Sequence, residues 1–251
     1  MTTSPEKAAP NSKNPGADKP TIAQKQAVRD MFNSIAPRYD LLNHLLSAGI
    51  DVHWRNKVIR LIKKHPHQQI LDVATGTGDL AIAAARLHPE KITALDISGE
   101  MLRYQDLKLK KKNLDHLIET KLGDGELLPF ADNTFDVAMV AFGVRNFENL
   151  QQGLAEMHRV LKKGGLIVVL EFSKPSHFPV KQLYTFYFKN ILPRVGKWVS
   201  RSADAYTYLP DSVGHFPSGE AFTAYLSEAG FGQSSHKPLT FGIASIYTGK
   251  K

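Results

Sequence analysis

The turn Ala74-Thr75-Gly76-Thr77-Gly78-Asp79 constrains the fold of this chain more than any other stretch. It follows an apolar run, Gln69 to Ala74 (QILDVA), and leads into Leu80 and Ala81, so it matches the pattern G-x-G-x-x-A at a strand-to-helix junction. Glycine lets the backbone turn tightly and approach a ligand, and the start of the following helix offers unbonded amide donors. Taken alone, the pattern suits any nucleotide-like cofactor.

The surrounding sequence supplies the rest of a parallel sheet. Short strand-like runs with β-branched residues at Gln69 to Ala74, Ile92 to Asp96, Glu119 to Gly123, Phe135 to Phe142 and Gly165 to Phe172 alternate with helical patterns. One helix opens at Asp79 and one is capped by Ser98. A third carries Leu150, Leu154, Met157 and Leu161 on one face and is expected to end at Gly164 and Gly165. Before the sheet, Thr21 to Leu46 and Asp51 to Lys64 read as helices, the first broken at Pro37. After it come a basic, aromatic segment, a helix from Ser218 closed by Gly230, and two strand-like runs. With 251 residues and 42% hydrophobic content, one core is expected. The organisation is a disordered leader at 1–20 and one domain at 21–251. That domain divides into a helical cap (21–64), a cofactor-binding βα core (68–172), a basic aromatic helical insert (173–217) and a C-terminal helix with a strand pair (218–251).

Two acids follow the glycine turn in register. Asp96 ends the second strand, where a carboxylate reaches a ribose diol, and Asp124 follows the third, where adenine would lie. NAD is the rival cofactor at this point. A reductase using it generally needs a second half-sheet or a catalytic domain, whereas this chain ends in a helix and an apparent hairpin. The absence of cysteine excludes a disulfide framework, a thiolate metal site and a thiol nucleophile.

Several longer stretches resemble one family, the UbiE/MenG quinone C-methyltransferases. They are VRDMFNSIAPRYDLLNHLLSAGIDVHWR (28 to 55), LDVATGTGDLA (71 to 81), LPFADNTFD (128 to 136), FGVRN (142 to 146), LEFSKP (170 to 175) and YLPDSVGHFP (208 to 217). The glycine loop is shared by all methyltransferases of this class, while FNSIAPRYD, FGVRN and EFSKP are specific to the family. The resemblance implies a class I, Rossmann-like α/β fold: a seven-stranded, mostly parallel sheet with N-terminal helices and a final antiparallel strand. It also implies S-adenosyl-L-methionine as cofactor, held by Gly76, Thr77, Gly78, Asp96, Asp124 and Gly125, and a prenylated quinol as acceptor. Two positions depart from the family. Asp124-Gly125 stands where Asn-Ala is common, and Ala141 stands where a cofactor-contacting Ser is common, so no hydroxyl is offered there.

Methyl transfer to carbon needs no metal. It needs an aligned, electron-rich ring carbon, which an ionising neighbouring hydroxyl provides, and therefore a positive or proton-accepting group beside that hydroxyl. Arg145 is the candidate, as a stabiliser of the phenolate or the holder of a basic water, with Asn146 fixing the acceptor or Arg145. Their structural alternative is to cap the strand, or for Arg145 to pair with Glu148. Tyr39 and Asp40 are candidates for an N-terminal lid, with packing as the alternative. His177 and His215 read as solvated loop histidines.

The formal charge of +8 is unevenly spread. The run Lys108 to Lys112 (KLKKK) reads as a solvated helix face. Between Glu171 and Asp204, Lys174, Lys181, Lys189, Arg194, Lys197 and Arg201 occur without an acid. There Val180, Leu183, Tyr184, Tyr187, Phe188, Ile191 and Leu192 share one helical face, expected to pack as a roof over the active site. Contact with an anionic membrane surface is a compatible role. Without a signal peptide or a spanning run, the expected location is the cytoplasm, including peripheral association with the inner face of its membrane. The alternatives are a methyltransferase of another lipophilic acceptor such as a sterol, and a nucleic-acid methyltransferase. The latter lacks an N,D-P-P-Y motif and interleaved stacking aromatics, so no nucleic-acid partner is expected.

Overall fold

The computed structural model describes residues 22–40, 47, 49–175, 177–187, 190 and 204–251. The leader expected at 1–20, and Lys189, Arg194, Lys197 and Arg201 of the basic segment, lie outside them.

The described strands form one sheet of seven. They are β1 (Gln69–Val73), β2 (Lys91–Asp96), β3 (Ile118–Leu122), β4 (Phe135–Ala141), β5 (Leu161–Phe172), β6 (Gly232–Leu239) and β7 (Ala244–Lys250). Their order is β3-β2-β1-β4-β5-β7-β6, with β1 to β5 parallel and β7 antiparallel to both of its neighbours. The chain runs outward from β1 to β3 and returns to β4 on the other side of β1. That reversal leaves a crevice beyond the C-terminal ends of β1 and β4, where open α/β sheets bind ligands.

The helices are α1 (Ile22–Ile35), α2 (Ile50–Ile62), α3 (Asp79–Ala84), α4 (Gly99–Lys112), α5 (Leu150–Val160), α6 (Val180–Phe186), α7 (Asp204–His215) and α8 (Glu220–Glu228). Strand side chains alternate between faces, so each of β1, β4 and β5 feeds two cores. Ile70, Val137 and Val168 pack with Trp54, Val58 and Ile62 of α2 and with Leu80 and Ala84 of α3. Their neighbours Leu71, Ala138 and Val169 pack with Leu154 and Met157 of α5 and Phe222 and Leu226 of α8. Burial on both faces explains why these strands read as near-continuous apolar runs.

The break expected at Pro37 is present: the first helix ends at Ile35, and Pro37 sits in a 3₁₀ turn over Ala36–Arg38. Other features differ from expectation. α5 stops at Val160, four residues before Gly164, because Leu161 turns extended (φ −73°, ψ 143°) and pairs with Phe135 of β4. Leu161 thus belongs to the sheet, not to the helix face. The expected roof is also different. α6 has no fully buried residue, and its Leu183 and Phe186 are 65% and 58% exposed.

Candidate active site

A cleft of about 960 Å³, open solvent included, occupies the crevice. The strand ends build it in sequence. Gly76 (φ +58°) and Gly78 (φ +85°) carry the loop after β1 through left-handed backbone, and a Cβ on Gly78 would come within 2.6 Å of the Gln105 side chain. Only glycine fits there. Asp96, at the end of β2, ties this loop to the next: its Oδ2 accepts the Gly76 amide at 2.7 Å and its Oδ1 the Ser98 amide at 2.8 Å. Gly125 forms part of the cleft wall, where a Cβ would lie 2.8 Å from Phe147 and 2.9 Å from Val73. The structure therefore brings Gly76, Thr77, Asp96, Asp124 and Gly125 together along one wall. Gly78 supports them as the N-cap of α3.

One acid was not picked out from the sequence. Asp72 of β1 lines the cleft and is 1% exposed; its Oδ2 accepts the Thr75 hydroxyl at 2.7 Å, while its Oδ1 has no hydrogen-bond partner. Burial raises its pKa to about 7, against the opposing effects of Thr75, the Ala81 amide and Arg55. An orphaned buried carboxylate oxygen is rare in folded proteins, and it suits a cationic ligand group. The sequence signal was a charged residue inside an apolar strand, one position from its end.

The N-terminal helix closes the other side. Lys25, Val28 and Phe32 of α1, and Tyr39 after it, line the cleft. Lys25 Nζ lies 2.6 Å from Asp124, 3.4 Å from Glu126 and 3.8 Å from Glu148, so the acid expected at the adenine already carries one cation. Asp124 Oδ1 also accepts the Glu126 amide at 2.9 Å. A carboxylate has about four acceptor positions, and further donors fit. Asp40 accepts the Thr77 hydroxyl and pairs with Lys108 at 2.7 Å, and the same Lys108 reaches Asp79 at 2.6 Å. Lys108 therefore belongs to a partly buried network that fastens the N-terminal segment to the glycine loop. It is a correction to the solvated face expected for KLKKK, which holds for Lys110 to Lys112.

At the far end, β4 delivers Phe142 and the 3₁₀ turn Val144–Asn146. Asn146 lines the cleft, and its Oδ1 accepts the Tyr208 hydroxyl at 3.0 Å. Arg145, the residue before Asn146, does not line the cleft, and its side chain is buried, with an exposure of 7%. Its Nη1 donates to Glu171 Oε1 at 2.8 Å and to the Phe142 carbonyl, its guanidinium lies 5.6 Å from the Phe172 ring centre, and its Nε has no partner. The partner is thus Glu171, not Glu148. His215 is 82% exposed on α7. Among the described residues no group of three or more His, Asp or Glu is arranged to hold a metal.

A seven-stranded sheet with a reversed last strand, a glycine loop after β1 and acids at successive strand ends define a methyltransferase of the Rossmann-like class. A Thermotoga maritima SAM-dependent methyltransferase superposes with a TM-score of 0.64 over 88% of this chain and 99% of its own, at 18% identity, which speaks for the fold alone. The sequence comparison is more specific. The profile of the ubiE/COQ5 methyltransferase family matches residues 20–251, and the chain belongs to that family. It is 48% identical to a Bacteroides fragilis protein named demethylmenaquinone methyltransferase, over 91% of this chain and 94% of the relative. It is 46% identical to a Geotalea daltonii protein named ubiquinone/menaquinone biosynthesis C-methyltransferase UbiE, over 90% and 97%.

Proposed function

We propose that this methyltransferase uses S-adenosylmethionine to methylate a ring carbon of a prenylated quinol, demethylmenaquinol first and a polyprenyl benzoquinol second. The relatives' names support the acceptor, and the site supports the chemistry. The residues fit the cofactor: Asp96 stands where a ribose diol needs acceptors, Asp124 and Gly125 beside Phe147 suit adenine, and the orphaned Asp72 oxygen suits an ammonium. When bound, the cofactor supplies a methyl group already activated on sulfonium. The protein's own task is to exclude water, align the acceptor and make its ring electron-rich.

The observation that carries this reading is Arg145. Its guanidinium is fixed by Glu171 on Nη1, yet keeps an unpartnered, buried Nε–H donor, in the residue that precedes Asn146 of the cleft lining. A buried donor without an acceptor favours an oxygen that gains charge during reaction. Arg145→Lys is expected to lower turnover by roughly 10- to 150-fold, the equivalent of one charge-assisted hydrogen bond, with cofactor affinity nearly unchanged. Turnover equal to the parent's, in a variant shown to be folded by thermal melting, would return Arg145 to a purely structural role.

The same reading places the protein against a membrane surface, where such an acceptor resides. Among the described residues no helix is long and apolar enough to cross a membrane. Phe178, Leu183 and Phe186, at 81%, 65% and 58% exposure, flank the exposed Lys181 in the segment without acids. Exposed aromatic and aliphatic groups with lysines suit an anionic lipid interface. Leu183→Ser with Phe186→Ser is expected to reduce cosedimentation with anionic phospholipid vesicles, and added salt to weaken binding of the parent. Parent protein that stays wholly in the supernatant at low salt would rule this contact out.

A further inference from the structure

The N-terminal helix α1 covers the cleft but is not held there by a core. Lys25, Val28 and Phe32 share one helical face and line the cleft. No side chain described between residues 25 and 35 is fully buried. Polar contacts hold the helix instead, and they are unevenly placed. Its C-terminal end is fastened at several points: Asn33 Oδ1 accepts the Ser98 hydroxyl at 2.7 Å, Ala36 is buried, the Tyr39 ring lies against Gly76, and Asp40 bonds Thr77 and Lys108. Its N-terminal half has one polar tie among the described residues. Gln26 and Arg29 reach only Asp30 of the same helix, whereas Lys25 crosses to Asp124, Glu126 and Glu148. Those three acids are set in place by the backbone. Asp124 Oδ1 accepts the Glu126 amide at 2.9 Å, and Glu126 accepts the Glu148 and Asn149 amides at 2.8 and 3.1 Å. Burial lowers the pKa of the Lys25 amine, but Asp124 and Glu126 outweigh it and hold the group above the usual lysine range, so it stays charged.

We propose that Lys25 is a positioning residue of the cofactor site: it latches the loosely held half of α1 across the cleft and steadies Asp124 as the acceptor for the cofactor's base. The inference rests on the S-adenosylmethionine site proposed above. A segment with few buried apolar contacts opens at low free-energy cost, so whether α1 stays closed depends on its polar ties. With the Lys25 tie made, the cleft is covered, and cofactor exchange requires the first turns of α1 to swing about the fastened stretch at 33–40. Without it, three carboxylates face one another with no shared cation. Their repulsion both lifts α1 and turns Asp124 toward solvent. The side chains of Lys25 and Asp124 are 28% and 30% exposed, so solvent screens the pair and salt loosens it.

The test measures release of S-adenosylhomocysteine, the demethylated form of the cofactor, so that no turnover is involved. In Lys25→Met, displacement of the labelled compound by excess unlabelled compound is expected to run roughly 3- to 10-fold faster than in the parent, the scale of a charged hydrogen bond partly exposed to solvent. Lys25→Arg, which keeps the charge, is expected to stay near the parent. Raising salt from about 0.05 M to about 0.5 M should speed release from the parent but not from Lys25→Met. Hydrogen exchange followed by mass spectrometry gives a readout on the parent alone: the compound should slow exchange in the first turns of α1. That slowing should be smaller in Lys25→Met, while β1 and β4 stay protected in both proteins. Release from Lys25→Met at the parent rate, release from Lys25→Arg as fast as from Lys25→Met, or exchange in α1 of the parent that the compound does not change overturns the inference alone. Failure of the parent to bind either form of the cofactor overturns the cofactor reading and this inference together.

Discussion

Demethylmenaquinone supplied in its oxidised form is expected to accept no methyl group, whereas the same compound reduced with dithionite or borohydride is expected to be methylated. The reason lies in the acceptor more than in the protein. An oxidised ring is electron-poor and has no hydroxyl to ionise, so nothing Arg145 does can make its carbon displace a sulfonium. The quinol has both properties. Once its oxygen ionises, density moves onto the adjacent carbon, and each 1.36 kcal/mol by which Arg145 favours that form is worth about tenfold in rate. The chain contains no cysteine and so no dithiol with which to reduce the quinone. The assay follows labelled methyl incorporation under anaerobic conditions with the acceptor pre-oxidised or pre-reduced. Equal incorporation from both, with adventitious reduction excluded, would refute the mechanism.

Asp96→Ala is expected to weaken cofactor binding by roughly 10- to 150-fold, corresponding to about 1.5–3 kcal/mol for hydrogen bonds made by a charged group. Two effects add. The substitution removes the carboxylate proposed to accept from the ribose, and it leaves the Gly76 and Ser98 amides without the oxygens they now bond at 2.7 and 2.8 Å. The glycine loop is thereby released from the end of β2. Asp96→Asn separates the two effects, since its amide retains one acceptor oxygen for a loop amide and offers donors in place of the other. Calorimetry giving parent-like affinity for S-adenosylmethionine in Asp96→Ala, or tight binding of NADH with none of S-adenosylmethionine in the parent, would refute the cofactor assignment.

The sheet was legible in the sequence because its central strands β1, β4 and β5 are buried on both faces and its turns carry their own chemistry. Gln69 to Val73 had to be an apolar run, and Gly76 and Gly78 had to be glycines, for reasons that act within a few residues. The end of α5 was misread for the opposite reason. Gly164 is a good local stop signal, but the pairing of Leu161 with Phe135, distant in the chain, draws the strand out earlier.

The candidate site divides along the same line. Asp96, Asp124 and Arg145 could be named from the sequence because each sits at a fixed distance from a recognisable strand or motif. Lys25, Asp72, Lys108 and Glu171 could not be assigned tasks, because a charged side chain acquires one only from what faces it. Asp72 and Glu171 are acids inside apolar strands, and only the packed sheet shows that one is left with an orphaned oxygen and the other is clasped by Arg145, 26 residues away. Lys108, in a run of lysines that reads as solvated, is partly buried only because α4 passes beneath Asp40 and Asp79. The sequence by itself determined the class of fold, the glycine loop and the strand-end acids, since these depend on local conformation and on hydrophobic periodicity. The tertiary structure alone decided the ionic fastening of the N-terminal helix and the pairing of Arg145 with Glu171, since electrostatic partnership and desolvation are set by neighbours in space.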